Sequence, residues 1–258
     1  MANFIFKHIF PRLFLYLQIE HNSMRNIRDS FIIHLSIFLI FFFACFNLDA
    51  QIRKYSNEFL SLGIGAQALA MGNCNVSQVT DVSSIYWNPA GLSLAESDLQ
   101  FGLMHAEYFA GIAKYDFGGV VVPTKDEDRF LGLGIIRFAI DDIPNTLYLI
   151  EPDGSVNYNN VTSFSAADYA FIFSYGQNTN IEGLRLGVNF KTVHRSLGSF
   201  ASSWGFGLDL GAQYDMGDLK LGLMARDITT TFNAWSFNFT DSEKEVLVAT
   251  GNEIPDNS

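Results

Sequence analysis

The residues in this chain suited to chemistry are few and scattered. Gly63-x-Gly65-x-x-Ala68 matches a dinucleotide-binding fingerprint as a string. That fingerprint works only with a buried strand before it, a helix after it and an acidic residue about 20 positions on. Asp81 has a tolerable spacing, but everything downstream alternates like antiparallel strand, so the match is set aside. After residue 50 only Cys74, His105 and His194 remain as soft or borderline metal ligands, too far apart for a zinc site. No Gly-x-Ser-x-Gly nucleophile elbow is present. Asp141-Asp142 and the run Asp126-Glu127-Asp128 lack the ligand spacing of a calcium loop and read as solvated turn acids. His105 and Glu107, two apart on one strand face, read as a lumenal hydrogen-bond pair rather than a catalytic couple. Asn75-Val-Ser, Asn160-Val-Thr and Asn238-Phe-Thr match glycosylation sequons, which carry meaning only in a eukaryotic secretory protein. The expectation is therefore no enzyme, no metal and no cofactor.

Composition narrows the classes further. The 258 residues are 48% hydrophobic and 17% charged, with 25 Phe. Disorder needs low hydrophobicity and high net charge, which this is not. A net charge of -11 argues against nucleic-acid partners, which need basic patches. Two cysteines, Cys45 and Cys74, cannot build a disulfide framework.

The N-terminus reads as an export signal. Phe31–Phe46 is an apolar run, preceded by Arg25 and Arg28 and followed by Ala50, where cleavage is expected. Sixteen residues is short for a spanning helix, which needs about 20. Phe42-Phe43-Ala44-Cys45 is a poor lipobox. Met24 begins a normal n-region, so residues 1–23 read as an upstream extension.

The elements that must position any site are strands. Trp204, Phe206, Leu208, Leu210, Ala212 and Tyr214 alternate with Gly205, Gly207, Asp209, Gly211, Gln213 and Asp215. Leu184, Leu186, Val188 and Phe190 oppose Arg185, Gly187, Asn189 and Lys191, and Tyr169, Phe171, Phe173 and Tyr175 oppose Asp168, Ala170, Ile172 and Ser174. Strict alternation means strands with one apolar and one polar face. Seven are expected, near 99–109, 112–123, 129–140, 164–175, 183–194, 203–214 and 218–226. They exceed the usual strand of about 5–6 residues and suit a membrane strand of about 9–11. Even-to-odd connections are short, whereas those from Asp141, Arg195 and Asp227 are longer, the parity of a barrel with short periplasmic turns. Only the first outer connection, at Ala110-Gly111, breaks that parity. Tyr and Trp at the ends of the apolar faces read as interfacial girdles. Phe171, Phe173, Leu186, Val188, Phe206 and Leu208 are the expected lipid-facing positions. Arg185, Asn189, Lys191, Asp209 and Gln213 face the lumen, as a charge network against a plug or in contact with a ligand.

Residues 58–96 do not alternate. Asp81 can cap one or two helical turns through Trp87, and Pro89 then breaks the helix. The stretch from Phe59 to Gly72, rich in Gly and Ala, and Ile85-Tyr86-Trp87-Asn88-Pro89-Ala90-Gly91-Leu92 together resemble the opening of the PorV/PorQ family of outer-membrane proteins. That family is related to the FadL long-chain fatty-acid transporter barrels, which share the Asn-Pro-Ala-Gly-Leu element in an N-terminal hatch. Gly205–Gly211, Arg226–Trp235 and Thr250–Pro255 resemble the same family. The resemblance implies an all-β, antiparallel, FadL-like transmembrane barrel of fourteen strands, about seven of them here. It also implies a small helical hatch whose motif is Asn88, Pro89, Ala90, Gly91 and Leu92. The implied role is that of an outer-membrane accessory of the type IX secretion system of Bacteroidota, binding secreted cargo or translocon components. The alternative is a channel for hydrophobic small molecules; a soluble periplasmic sheet is a third class, separated by whether detergent is required. The expected division is signal and extension (1–50), hatch (51–97), wall (98–226) and outer loop (227–258). Seven strands are odd and bacterial single-chain barrels even, so the chain is expected to stop short of closure.

Protease added to intact cells should cut within 141–163 and 227–258. Cleavage confined to 124–128 would invert the topology.

Overall fold

The computed structural model describes residues 57–95, 99–125, 128–151, 153–229 and 232–254. The expected export signal, residues 51–56, and Asp126 and Glu127 lie outside the described residues.

Beyond residue 99 the alternating sequence forms one antiparallel sheet, curled into a half-barrel. Strands β1 (Gln100–Tyr108), β2 (Ala113–Pro123), β3 (Arg129–Asn145), β4 (Thr162–Asn178), β5 (Leu184–Leu197), β6 (Ala201–Asp215) and β7 (Lys220–Ala225) pair in chain order. An eighth, β8 (Phe232–Phe237), also pairs with β6. β7 pairs with Leu210–Asp215 and β8 with Ala201–Phe206, so the two are halves of one interrupted strand along β6. A short helix, Asp241–Ala249, follows, with a capping box between Thr240 and Glu243.

Period-two alternation gives the sheet its two faces. The convex face exposes Phe101, Leu103, Leu133, Phe173, Phe190, Phe206 and Leu210, with Trp204 and Tyr214 at its margins. The concave face is covered by residues 57–94. This segment contains α1 (Ala66–Ala70), α2 (Ser84–Trp87) and a 3-10 turn at Pro89–Leu94. Asp81 Oδ1 accepts from the Ser83 N–H at 2.9 Å, ahead of the single turn of α2. Pro89 disfavours a helical Asn88, which is extended at φ -167. Asn88 Oδ1 then accepts from the Ala90 N–H at 3.1 Å and starts the next turn. Ile64, Ile85, Trp87 and Leu92 pack with Tyr115, Phe117, Ile136, Ile172 and Val193 in one core. Ile85 and Leu92 are fully buried, each stabilising by about 1.5–3 kcal/mol.

Close approach is made possible by two cross-strand rows of glycine. Gly102, Gly119 and Gly134 are register partners on β1, β2 and β3. Gly176, Gly187 and Gly211 are partners on β4, β5 and β6. Val82 and Ile85 lie on the first row, and Asn88-Pro89-Ala90 on the second. A Cβ on Gly134 would stand 2.7 Å from Ile85 Cγ2, and one on Gly176 2.5 Å from the Pro89 carbonyl oxygen. On Gly187 or Gly211 it would collide with the Pro89–Ala90 peptide or with the Asn88 side chain.

Three expectations need correction. Residues 227–258 are not one outer loop, because β8 continues the wall and the capped helix follows it. The β5–β6 connection is only Gly198-Ser199-Phe200, since Arg195, Ser196 and Leu197 keep pairing with Ser203, Ser202 and Ala201. Polar residues hold a ladder through their backbone, so hydrophobic patterning underestimates strand length. For the same reason β3 runs through a bulge between Ile140 and Ile143 to Asn145. Asp142 sits in that bulge at φ 56, and Asp141 pairs with Lys114 at 2.9 Å, so neither is a loop acid. The remaining long connection, 146–161, is ordered in part by Glu151, which accepts from Asn157 and Asn160 at 2.9 Å each. Those two amides, Asn157 first, hold its carboxyl below the usual range.

Gly187→Val should lower stability by about 3 kcal/mol through overpacking at the hatch, read as a shift in the urea midpoint. Gly217→Val, at a tip with open space, tests turn strain alone and should not disturb the hatch core.

Candidate functional site

The site is the seam between the concave wall and the segment carrying Asn88-Pro89-Ala90-Gly91-Leu92. All five motif residues are buried against the sheet. Asn88 Nδ2 donates to three carbonyls, Val76 at 2.9 Å, Ala212 at 3.0 Å and Leu223 at 3.3 Å. One side chain thus ties the hatch to itself, to β6 and to β7. Tyr86 Oη donates to the Leu60 carbonyl and accepts from Gly63 N–H, and Trp87 Nε1 donates to Ile64 O at 2.9 Å. These bonds fold the Gly/Ala-rich stretch back over α2.

The wall contributes buried polar groups from β5 and β6. Asn189 is 1% exposed, and its Nδ2 donates to Ile85 O at 2.9 Å. Gln213 Nε2 donates to the Val76 and Val79 carbonyls at 3.0 and 3.2 Å. Lys191 Nζ lies 2.8 Å from both Asp209 Oδ1 and Asp227 Oδ1, with the Lys191 and Asp209 side chains only 4% and 5% exposed. Gly207, which has no side chain, is the register partner of Lys191. Asp209 Oδ1 also accepts from the Asp227 N–H at 2.8 Å. Arg185 is buried beside Asp215 at 3.9 Å.

The five lumen-side residues singled out in the sequence, Arg185, Asn189, Lys191, Asp209 and Gln213, therefore share the concave face. Asn189 and Gln213 bond hatch carbonyls directly, whereas Lys191 and Asp209 join the wall to the bend after β7. Phe171, Phe173, Leu186, Val188, Phe206 and Leu208 share the opposite, convex face. His105 and Glu107 are not lumenal. They stand on the convex face in phase with Phe101 and Leu103, because Gly102, Met104 and Ala106 turn inward toward the hatch. His105 Nδ1 is 2.6 Å from Asp116, whose other oxygen is 3.0 Å from Arg137 Nη1, and Arg137 Nε approaches Tyr169 Oη at 3.4 Å. This polar row edges the apolar surface.

Sequence reasoning missed Arg226, Asp227 and the glycine rows. Single glycines on the polar faces of adjacent alternating strands, Gly187 in β5 and Gly211 in β6, were a readable signal for the second row. Arg226 and Asp227 open a family-like segment, but nothing in their spacing pointed to the hatch or to Lys191. Among the described residues no group of three or more His, Cys, Asp or Glu is placed to hold a metal ion. The polar side chains engage backbone carbonyls and one another, an arrangement that holds a polypeptide segment. A half-open cleft of about 630 Å³ lies between the hatch and β1, lined by Ile64, Gln67, Val82, Met104 and Phe117 and by exposed Phe101 and Leu103 among others. No protein-family model matches the chain, and no curated protein matches it.

The ion cluster changes one substitution expectation. From alternation alone, Leu208→Arg would be far more damaging than Asp209→Arg. Asp209→Arg, however, sets a guanidinium against buried Lys191, so both should be severe. Lys191→Met, leaving buried Asp209 and half-buried Asp227 without their cation, should cost about 3–5 kcal/mol in chemical denaturation. Lys191→Met combined with Asp209→Leu should recover much of that loss; no recovery would mean that the pair acts independently.

Proposed function

We propose that this chain forms wall and hatch of an outer-membrane β-barrel that serves as an accessory of type IX protein secretion, binding or delivering secreted cargo at the cell surface. The observation that carries the reading is the docked Asn88–Leu92 element. It lies in the concavity of a half-barrel whose other face is a broad apolar surface. A sandwich strand has no use for an exposed row such as Trp204, Phe206, Leu208 and Leu210, whereas lipid covers such a row without penalty. The two sheet edges, β1 and β7/β8, then pair with further strands of a closed, fourteen-stranded wall, since open edges are not tolerated in hydrocarbon. The secretion assignment rests on the ordered PorV/PorQ-like segments in the sequence. In this reading a cleaved signal exports the chain, outer-membrane lipid is its solvent, and secreted cargo or translocon components are its partners.

The cleft beside β1 favours a second reading, a FadL-like channel for hydrophobic small molecules. Its lining mixes Ile64, Val82, Met104 and Phe117 with Gln67 and Gln100, which suits an amphiphile.

The test is to fractionate membranes from the native Gram-negative host and identify what co-purifies with the detergent-extracted protein. The secretion reading predicts outer-membrane fractionation and secreted proteins in the eluate. Fatty acid in place of protein would favour the channel, and recovery without detergent would overturn both.

A further inference from the structure

The interruption of the last wall strand is a structural choice with a visible consequence. β7 and β8 follow the same neighbour, so an unbroken strand would have been compatible with β6 on both sides. Instead the chain bends after Ala225. Asp227 takes φ 52, a left-handed conformation disfavoured for a residue with a Cβ. The wall stays sealed, because the Ile228 N–H still donates to Leu208 O at 2.9 Å. What the bend changes is the aim of two side chains. Arg226 lies over the Tyr86 ring at 4.5 Å and the Trp87 ring at 5.7 Å, and its Nη2 donates to Tyr86 O at 3.1 Å. Asp227 is held by Lys191 Nζ and, through its own N–H, by Asp209.

We propose that Arg226 and Asp227 are positioning residues that latch the hatch. The Lys191–Asp209 pair fixes Asp227, Asp227 fixes the bend, and the bend presents Arg226 to the tyrosine–tryptophan pair immediately before Asn88-Pro89. Tyr86 is the right residue to grip: its hydroxyl holds both Leu60 and Gly63, so restraining it restrains the whole fold-back of residues 60–87. The contact is graded. Arg226 is exposed, so the guanidinium is weakly desolvated and can let go, whereas Lys191 and Asp209 are buried and stay. The latch therefore releases at Arg226, with the ion pair as its fixed anchor. Beyond the break, β8 leads to the outer helix 241–249, where Ser242 Oγ meets Tyr148 Oη of the 146–161 connection at 2.8 Å. A pull on that helix acts on the bend along one strand. The inference deepens the reading of residues 57–94 as a hatch, but its test needs neither cargo nor membrane transport.

Hydrogen exchange of the full chain folded in detergent reads the latch directly. In Arg226→Ala, the amides of Gly63, Asn88, Ala90 and Gly91 should exchange about fivefold faster, while β3, β4 and β5 keep their protection. Arg226→Lys retains charge but not the planar stack and should restore only part of it. Asp227→Asn should loosen the same hatch amides through the bend. Unchanged hatch exchange in Arg226→Ala would overturn the proposal, and so would equal loosening of hatch and sheet. A hatch that is latched but co-purifies with no cargo would leave the latch standing and sink the secretion reading.

Discussion

Where Asn88, Pro89 and Ala90 lie on Gly176, Gly187 and Gly211, the wall puts no side chain of its own between itself and the hatch. That close approach to bare wall backbone sets the depth of the hatch, and the other contacts follow from it. Only at that depth does Asn88 Nδ2 reach the Ala212 and Leu223 carbonyls, and only then do Val82 and Ile85 fill the first glycine row, on β1, β2 and β3. Glycine in a strand weakens it by removing a side chain that would pack. Here the loss is offset by a segment that packs in its place. The sheet is consequently matched to its hatch and to little else.

The seam divides by chemistry. Toward β1, β2 and β3 it is apolar, with Ile85 against Phe117 and the small residues of the first row. Toward β5, β6 and β7 it is polar, with Asn189 and Gln213 bonded to hatch carbonyls and Lys191 between two carboxylates. A hatch seated by apolar contact alone would slide, since such contact is non-directional. Hydrogen bonds to specific carbonyls fix its register, and the ion cluster fixes the bend that bears Arg226. This division also explains why a buried cation is tolerated on β5. Lys191 is nearly inaccessible, yet it has two carboxylate partners at 2.8 Å, the condition under which a buried charge is compatible with folding.

Much of this was legible in β4, β5 and β6, where alternation runs unbroken and the two faces differ sharply. Arg185, Asn189, Lys191, Asp209 and Gln213 share a face simply because the strand period is two. Legibility failed where the backbone departs from that period or where both faces are mixed. The bend at Arg226–Asp227 hid β8, because pairing resumes in a new phase after an irregular stretch. Ser196 and Ser202 hid the upper ends of β5 and β6, because their pairing is made by backbone groups that hydropathy does not see. On β1, His105 and Glu107 were assigned to the interior by polarity. The hatch needed the small side of the strand, Gly102 and Ala106, so the large polar residues turned outward. The partners of Asn88 are distant in sequence and could not be read from spacing at all.

The most direct test of the central claim, that one face of this wall meets lipid while the other grips the hatch, is a nitroxide scan. Single cysteines at 204–213, in a chain with Cys74→Ser, would be labelled in the native outer membrane and their oxygen accessibility measured. Accessibility should peak at positions 204, 206, 208, 210 and 212. It should collapse at 205, 207, 209, 211 and 213, with the label at 211 also displacing the hatch. A profile without period two, or peaks of accessibility to a water-soluble relaxant at 206 and 208, would contradict it.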